Sequence, residues 1–319
     1  MKAKTIGKVL AGSATFAGCA AFSAYCSYRF IFYSPRGEQN DDHRLMVAVK
    51  TLEERERSIA LIDALNARPF EKVEITSFDG LRLAGRYYHI SDGAPLAILC
   101  HGYRGTPSRD FCGGADICFD AGMNVLLIEE RAHCSSGGHT ITFGVKERFD
   151  ILDWTRYAVR RFGEDVEILL AGISMGASAV LMTSELALPP NVKGILADCP
   201  FSSPKDIIKK VGDAKGFNMD LCWPFVVAEA RVFGGFDVNG ADAVSAVRHA
   251  GIPILLIHGE DDRFVPCEMS RLIARANPEM IEFHTFPGAG HGLSYLEDTE
   301  RYTRLVRDFC RKIFSGKER

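Results

Sequence analysis

From Glu71 the chain alternates apolar and polar positions through "KVEITSFDGLRLAGRYYHI", centred on Asp79-Gly80. This pattern predicts two antiparallel strands joined by a turn. Beyond it the period changes. Short, almost wholly apolar runs, "LAILC", "NVLLIEE", "VEILLAGIS", "VKGILADC", "IPILLIHG" and "IEFHTFP", are separated by helix-length segments such as Lys146 to Arg161 and Ala177 to Leu188. Runs that are apolar on both faces read as buried parallel strands, and their alternation with helices predicts a mostly parallel, doubly wound α/β sheet. Upstream, Asp41 to Ala67 has the spacing of an amphipathic helix, either a bridge into the domain or a helix packed on its flank.

The N-terminal pattern is different again. After Lys2, Lys4 and Lys8, the stretch from Val9 to Tyr28 carries no charge, and a helix of about 20 such residues matches the roughly 30 Å core of a bilayer. The chain is therefore expected to divide into a membrane anchor at 1–33, a helical linker at 34–70 and a globular domain at 71–319. Phe30, Phe32 and Tyr33 stand where interfacial aromatics are expected. A cleaved signal peptide, cut near Ala20, Ala21 or Ala24, is the rival reading. "FAGC", ending at Cys19, also resembles a lipoprotein processing site, although apolar residues continue past it. The amino terminus with Lys2, Lys4 and Lys8, set against Arg29, Arg36 and Arg44, slightly favours a single-pass anchor with the domain outside the cytoplasm. Ten cysteines without evident pairing pull the other way.

Composition narrows the functions. With 47% hydrophobic and 25% charged residues in 319, the chain is ordinary globular protein. A net charge of −3 and the lack of a basic run argue against a nucleic-acid partner. No C-x-x-C pair or zinc-type His/Cys spacing marks a metal site, and no G-x-G-x-x-G follows the first strand, so neither metal nor cofactor is expected. Oligomeric state is left open.

The candidate chemistry lies at predicted strand ends, where open α/β sheets gather their active residues. Gly172-Ile173-Ser174-Met175-Gly176 falls between a strand run and a helical run. A bare G-x-S-x-G is a weak match in a chain with 30 glycines, but a sharp strand-to-helix turn is the setting in which such a serine acts as a nucleophile. A serine hydroxyl needs a base, and the base needs an orienting group. The loop "HGEDDRFVP" follows one strand run and "GAGHG", with His291, follows the next. Backbone N–H groups would stabilise the oxyanion of acyl transfer, one of them from Met175, next after the serine.

These motifs together resemble the α/β hydrolases over about Glu71 to Phe314, most closely membrane-anchored microbial members labelled esterase-like or serine-aminopeptidase-like. The resemblance implies an α/β-hydrolase fold with a small helical cap at about 200–240. It makes Ser174 the nucleophile and His291 the base. Asp262, three residues before Val265-Pro266, becomes the acid, with Asp261 as runner-up. "HGYRGTP" resembles the His-Gly oxyanion loop, and Tyr103 would give the second N–H and wall the acyl pocket with its ring. One departure is Arg131-Ala132-His133-Cys134-Ser135-Ser136-Gly137, where relatives carry Arg-Gly-x-Gly-x-Ser, and it is expected to alter the loop's shape. His258 and His284 are expected to be structural.

The implied function is a serine hydrolase that cleaves an acyl bond, a carboxylic ester before an amide, through an acyl-enzyme. A peptidase, amidase or acyltransferase on the same triad is the alternative, and a non-catalytic membrane-anchored binding protein is the reading from another class. A cap of roughly 35 residues is expected to roof a modest pocket suited to short and medium acyl esters.

Overall fold

The computed structural model describes residues 22–35 and 51–314. Its centre is one eight-stranded sheet in the order β1-β2-β4-β3-β5-β6-β7-β8. Strands β1 (Glu71–Thr76) and β2 (Arg82–Tyr88) form the expected antiparallel hairpin, turning at Gly80 with φ +83°. The six apolar runs become β3 (Leu96–Cys100), β4 (Asn124–Ile128), β5 (Ile168–Ile173), β6 (Val192–Asp198), β7 (Ile254–Gly259) and β8 (Ile281–Phe286), all mutually parallel. Every residue of β3, β4, β5 and β7 is buried, which is why these runs show no alternation. Strand β3 lies between β4 and β5, so the chain order reverses there and the carboxyl ends of β3 and β5 open a crevice.

The helices are α1 over residues 22–31, α2 (Leu52–Ala67), α3 (Pro107–Phe111), α4 (Gly114–Asp120), α5 (Glu147–Phe162), α6 (Met175–Thr183), α7 (Pro204–Ala214), α8 (Met219–Val232), α9 (Ala243–Val247), α10 (Cys267–Ala276), α11 (Ser294–Glu297) and α12 (Thr299–Phe314). Two apolar layers cover the sheet faces. One contains the fully buried Trp154 of α5, and the other sets Val306 and Phe309 of α12 against the strands. Helix α2 opens on a Thr51/Glu54 capping box and packs on the domain's flank through Ile62 and Leu65, with Asn66 accepting from Ser108. Of the two readings of that segment, flank packing describes what is seen between 51 and 67.

Helices α7 and α8 form the cap, with Ser203 and Asn218 as their N-caps. They are joined by an element that the sequence reading did not place there. Phe32, just after α1, is fully buried against Phe143 and Phe236, and Tyr28 is buried beside it. The chain then runs beside the loop after β4, with Ser34 N–H donating to the His139 carbonyl and Ile141 N–H to the Phe32 carbonyl. Phe32 therefore belongs to the protein core and not to a lipid interface. Most of the expected span from Val9 to Tyr28 lies outside the described residues, among which no helix is long and apolar enough to cross a membrane.

Candidate active site

Ser174 stands between β5 and α6 with φ 55° and ψ −114°, a backbone conformation that side chains rarely adopt. Its two glycines are required by packing. A β-carbon on Gly172 would strike the Gly176 carbonyl, and one on Gly176 would strike the Cys100 carbonyl, because α6 starts directly against the end of β3. The strained turn lifts the Ser174 side chain out of the sheet and into reach of the loops after β7 and β8.

Those loops supply the partners. His291 Nε2 lies 2.9 Å from Ser174 Oγ, and His291 Nδ1 lies 2.6 Å from Asp262 Oδ2. The serine donates to the imidazole, and the imidazole donates its other proton to the carboxylate. Asp262 is buried. Its Oδ1 accepts from the backbone N–H groups of Phe264 and Val265, and His258 Nε2 stands 3.3 Å from Oδ2. Burial works to raise this carboxyl, but the hydrogen bonds from His258 and His291 outweigh it and hold the group at about 2. Asp261, the other candidate acid, is exposed and offers its backbone N–H to the Ala289 carbonyl.

Tyr103 follows Gly102, where an added β-carbon would lie 3.2 Å from the Ser174 β-carbon, and Met175 follows Ser174 itself. Their backbone N–H groups have no acceptor among the described residues, and Met175 opens α6, where the helix dipole favours negative charge. The Tyr103 loop is held from three sides. Asp110 Oδ2 accepts the Gly102 N–H at 2.8 Å, His133 Nε2 accepts the Arg104 N–H at 3.0 Å, and the Tyr103 hydroxyl donates to the Ile31 carbonyl at 2.8 Å. Burial drives the His133 pKa well below its ordinary value, so the ring stays neutral and can accept.

The loop after β4, which supplies His133, departs from the related glycine pattern. Ala132 and Cys134 stand where the related pattern has glycine, and both adopt positive φ, 62° and 45°. The two substitutions thus sit in a backbone region that favours glycine, at a cost in strain. His133 and His258 were not read from the sequence as supports of the site. His258 lies four residues before Asp262, at the end of β7, a spacing that marks a residue able to reach back to that carboxylate.

Two further acids or thiols lie close by. Asp198, at the end of β6, is buried and accepts from the Tyr302 hydroxyl. Burial raises it to about 6, with His258 opposing the shift. Cys199, Asp262 and His291 bring three metal-ligating atoms within 4.8 Å of one another. The donor set does not suit a cation. Both imidazole nitrogens already face Ser174 and Asp262, and burial lifts the Cys199 thiol well above its ordinary range, leaving it protonated.

In front of Ser174 lies a cavity of about 800 Å³. It is lined mainly by apolar side chains, among them Phe143, Phe201, Ile208, Phe217 and Val226, with Ser27, Phe30 and Ile31 of the α1 segment closing one side. This volume stands high in the range of roughly 300–1,000 Å³ usual for ligand pockets. The pocket is larger than a cap of α7 and α8 alone suggests, because α1 gives it an additional wall.

A family model described as "Alpha/beta hydrolase family" matches residues 97–305, more than half of the chain. The YqkD protein of Bacillus subtilis is 24% identical over 250 residues, covering 75% of this chain and 80% of that one. The lysophosphatidylserine lipase ABHD12 of Bos taurus is 24% identical over 255 residues, covering 72% of this chain but only 59% of that protein. Among solved structures, an esterase of Pyrococcus furiosus superposes with a TM-score of 0.64 at 20% identity, covering 89% of this chain and 98% of the other. At that identity the likeness speaks for the fold.

Proposed function

The chain belongs to the alpha/beta hydrolase family and is an esterase-like hydrolase, and from that premise we propose that it cleaves carboxylic esters through an acyl-enzyme on Ser174. The observation that carries the reading is the hydrogen-bonded chain Ser174–His291–Asp262, opening on a large apolar pocket. In the proposed mechanism the Ser174 hydroxyl gives its proton to His291 Nε2 as Oγ attacks the ester carbonyl. Asp262, ionised throughout the neutral range, holds the ring and balances the imidazolium that forms. The Tyr103 and Met175 N–H groups receive the oxyanion. His291 then returns the proton to the leaving alcohol, and a water activated by the same imidazole releases the acid.

An apolar wall suits the acyl side of an ester better than the polar backbone of a peptide. Comparing turnover of a p-nitrophenyl ester and of the p-nitroanilide with the same acyl group tests the choice. An ester burst of one equivalent per chain, followed by slower turnover, is expected. Faster cleavage of the anilide would favour the amidase reading instead.

Attachment to a membrane through the uncharged segment from Val9, with the hydrolase outside the cytoplasm, remains part of this proposal. Support comes from the lack of charge in the run that leads from Val9 into α1. Protease treatment of intact cells is expected to digest the domain, and full protection would reverse its side.

A further inference from the structure

Helix α8 is apolar on nearly every side, and only part of it faces the protein. Met219, Val226 and Ala230 are buried in the cap, while Leu221, Phe225 and Val232 are 71%, 68% and 75% exposed. Helix α1 repeats the pattern. Tyr28 is buried, whereas Phe22, Tyr25 and Phe30 face outward. The two outward faces adjoin, since the rings of Tyr25 and Tyr28 meet Phe233 just beyond α8 at 5.5 and 5.6 Å. Phe30, Phe217 and Phe225 both line the cavity and remain exposed, so the apolar surface continues from the outside into the pocket. Phe264, exposed and set edge-on to His291, adds to the lining, whereas Leu52, Ile90 and Leu272 are exposed but do not line the cavity. A continuous apolar surface of this kind marks an interaction site.

Its occupant follows from what it adjoins. The sequence leading into Phe22 is uncharged from Val9 onward, so the chain reaches this face directly from its most bilayer-like segment. A protein laid over the face would plug the pocket mouth, whereas a lipid phase is continuous with the pocket's apolar lining. Lys215 stands at that mouth, its ammonium 5.5 Å from the Phe30 ring centre, where a lipid phosphate could meet it.

We infer that α1 and α8 dock on a lipid surface with the pocket mouth at the interface, and that the substrate is a long-chain acyl ester amphiphile whose chain slides from the lipid phase into the pocket. This rests on the serine hydrolase reading above. It replaces the expectation of short and medium acyl groups, because the α1 wall and the open apolar mouth admit a chain longer than the cap alone could cover.

The chain has two tryptophans, one of which, Trp154, is fully buried in the domain core, while Trp223 lies on α8. The full chain, reconstituted in phosphatidylcholine vesicles with brominated acyl chains, should lose Trp223 emission relative to unbrominated vesicles. The variant with Leu221→Asp and Val232→Asp should recover it. That variant should also lose about tenfold in kcat/KM on a palmitoyl ester in vesicles and keep its turnover of soluble p-nitrophenyl acetate. Unquenched Trp223 in vesicles that still hydrolyse the acetate overturns the docking and leaves the hydrolase reading intact. A dimer by light scattering, with α8 shielded and unquenched, assigns the face to a second copy and overturns it equally. Quenching without any acetate turnover removes the hydrolase reading on which the substrate assignment rests.

Discussion

The floor and the roof of the pocket are built on opposite principles. At the floor, Ser174, His291 and Asp262 are joined by hydrogen bonds of 2.9 and 2.6 Å, and Asp262 is held further by two backbone N–H groups and a second histidine. The roof of α1, α7 and α8 is held mainly by apolar packing, with α1 also tied through the Ile31 carbonyl to the Tyr103 hydroxyl, and much of its outer surface is exposed. Hydrogen bonds fix atoms to within tenths of an ångström and suit a site where a proton must move. Apolar contacts are non-directional and tolerate acyl chains of differing length. The contrast teaches that chemistry and substrate choice can be altered separately in this protein.

The floor should therefore fail sharply. Ser174→Ala is expected to lower kcat by about 10⁶-fold with the fold intact by circular dichroism, since triad members act as a unit. Ser174→Gly should be equally inactive yet more stable by about 1 kcal/mol, because glycine relieves the positive φ. A melting temperature below wild type for the glycine variant would mean the turn stores no strain.

Next in size is the acid. Asp262→Asn should cost about 10⁴-fold in kcat, whereas the exposed Asp261→Asn should stay within about twofold. Equal losses in a side-by-side kinetic assay would place the orienting charge elsewhere.

Asp262 of the floor and Glu229 of the roof contribute with opposite sign as pH changes. Asp262 is depressed to about 2, so its contribution of about 2 kcal/mol is fully present above the unfolded carboxyl range near 4 and is lost as pH falls through about 2. Glu229, buried on α8 and hydrogen-bonded to Ser27 of α1, is raised by burial. Its contribution is present at low pH and is lost as pH rises through its elevated value. Urea melts from pH 2 to 8 should show a smaller acid-side loss in Asp262→Asn, and a smaller loss on raising pH in Glu229→Gln.

The smallest effect belongs to the roof. Phe217→Ser is expected to raise KM about threefold for long acyl esters, with little change for acetate or in stability. A p-nitrophenyl series from acetate to palmitate, at constant detergent, reads the difference. A uniform loss across the series would make Phe217 part of the chemical step instead of the chain-binding wall.

The same contrast explains what could be read beforehand. The strands and the three floor residues are local signals, with apolar runs, glycines two residues either side of Ser174, and strand-end loops carrying Asp262 and His291. The place of α1 was not legible, because Phe32 meets Phe143 and Phe236 across long sequence separations and an uncharged helix looks alike against lipid or against a cap. His133 and His258 were visible as residues but not as supports, since their partners Arg104 and Asp262 are defined only once the loops fold. The strain at Ala132 and Cys134 was not legible, because sequence shows the loss of glycine and not the φ angle.

The central claim is that Ser174 is the reacting nucleophile. Treating the full chain with a fluorophosphonate and locating the adduct by peptide mass mapping tests it most directly. The account predicts one adduct per chain, on Ser174, lost in Ser174→Ala and much slowed in His291→Ala. An adduct on another residue, or none on a folded chain that still turns over p-nitrophenyl acetate, would contradict it.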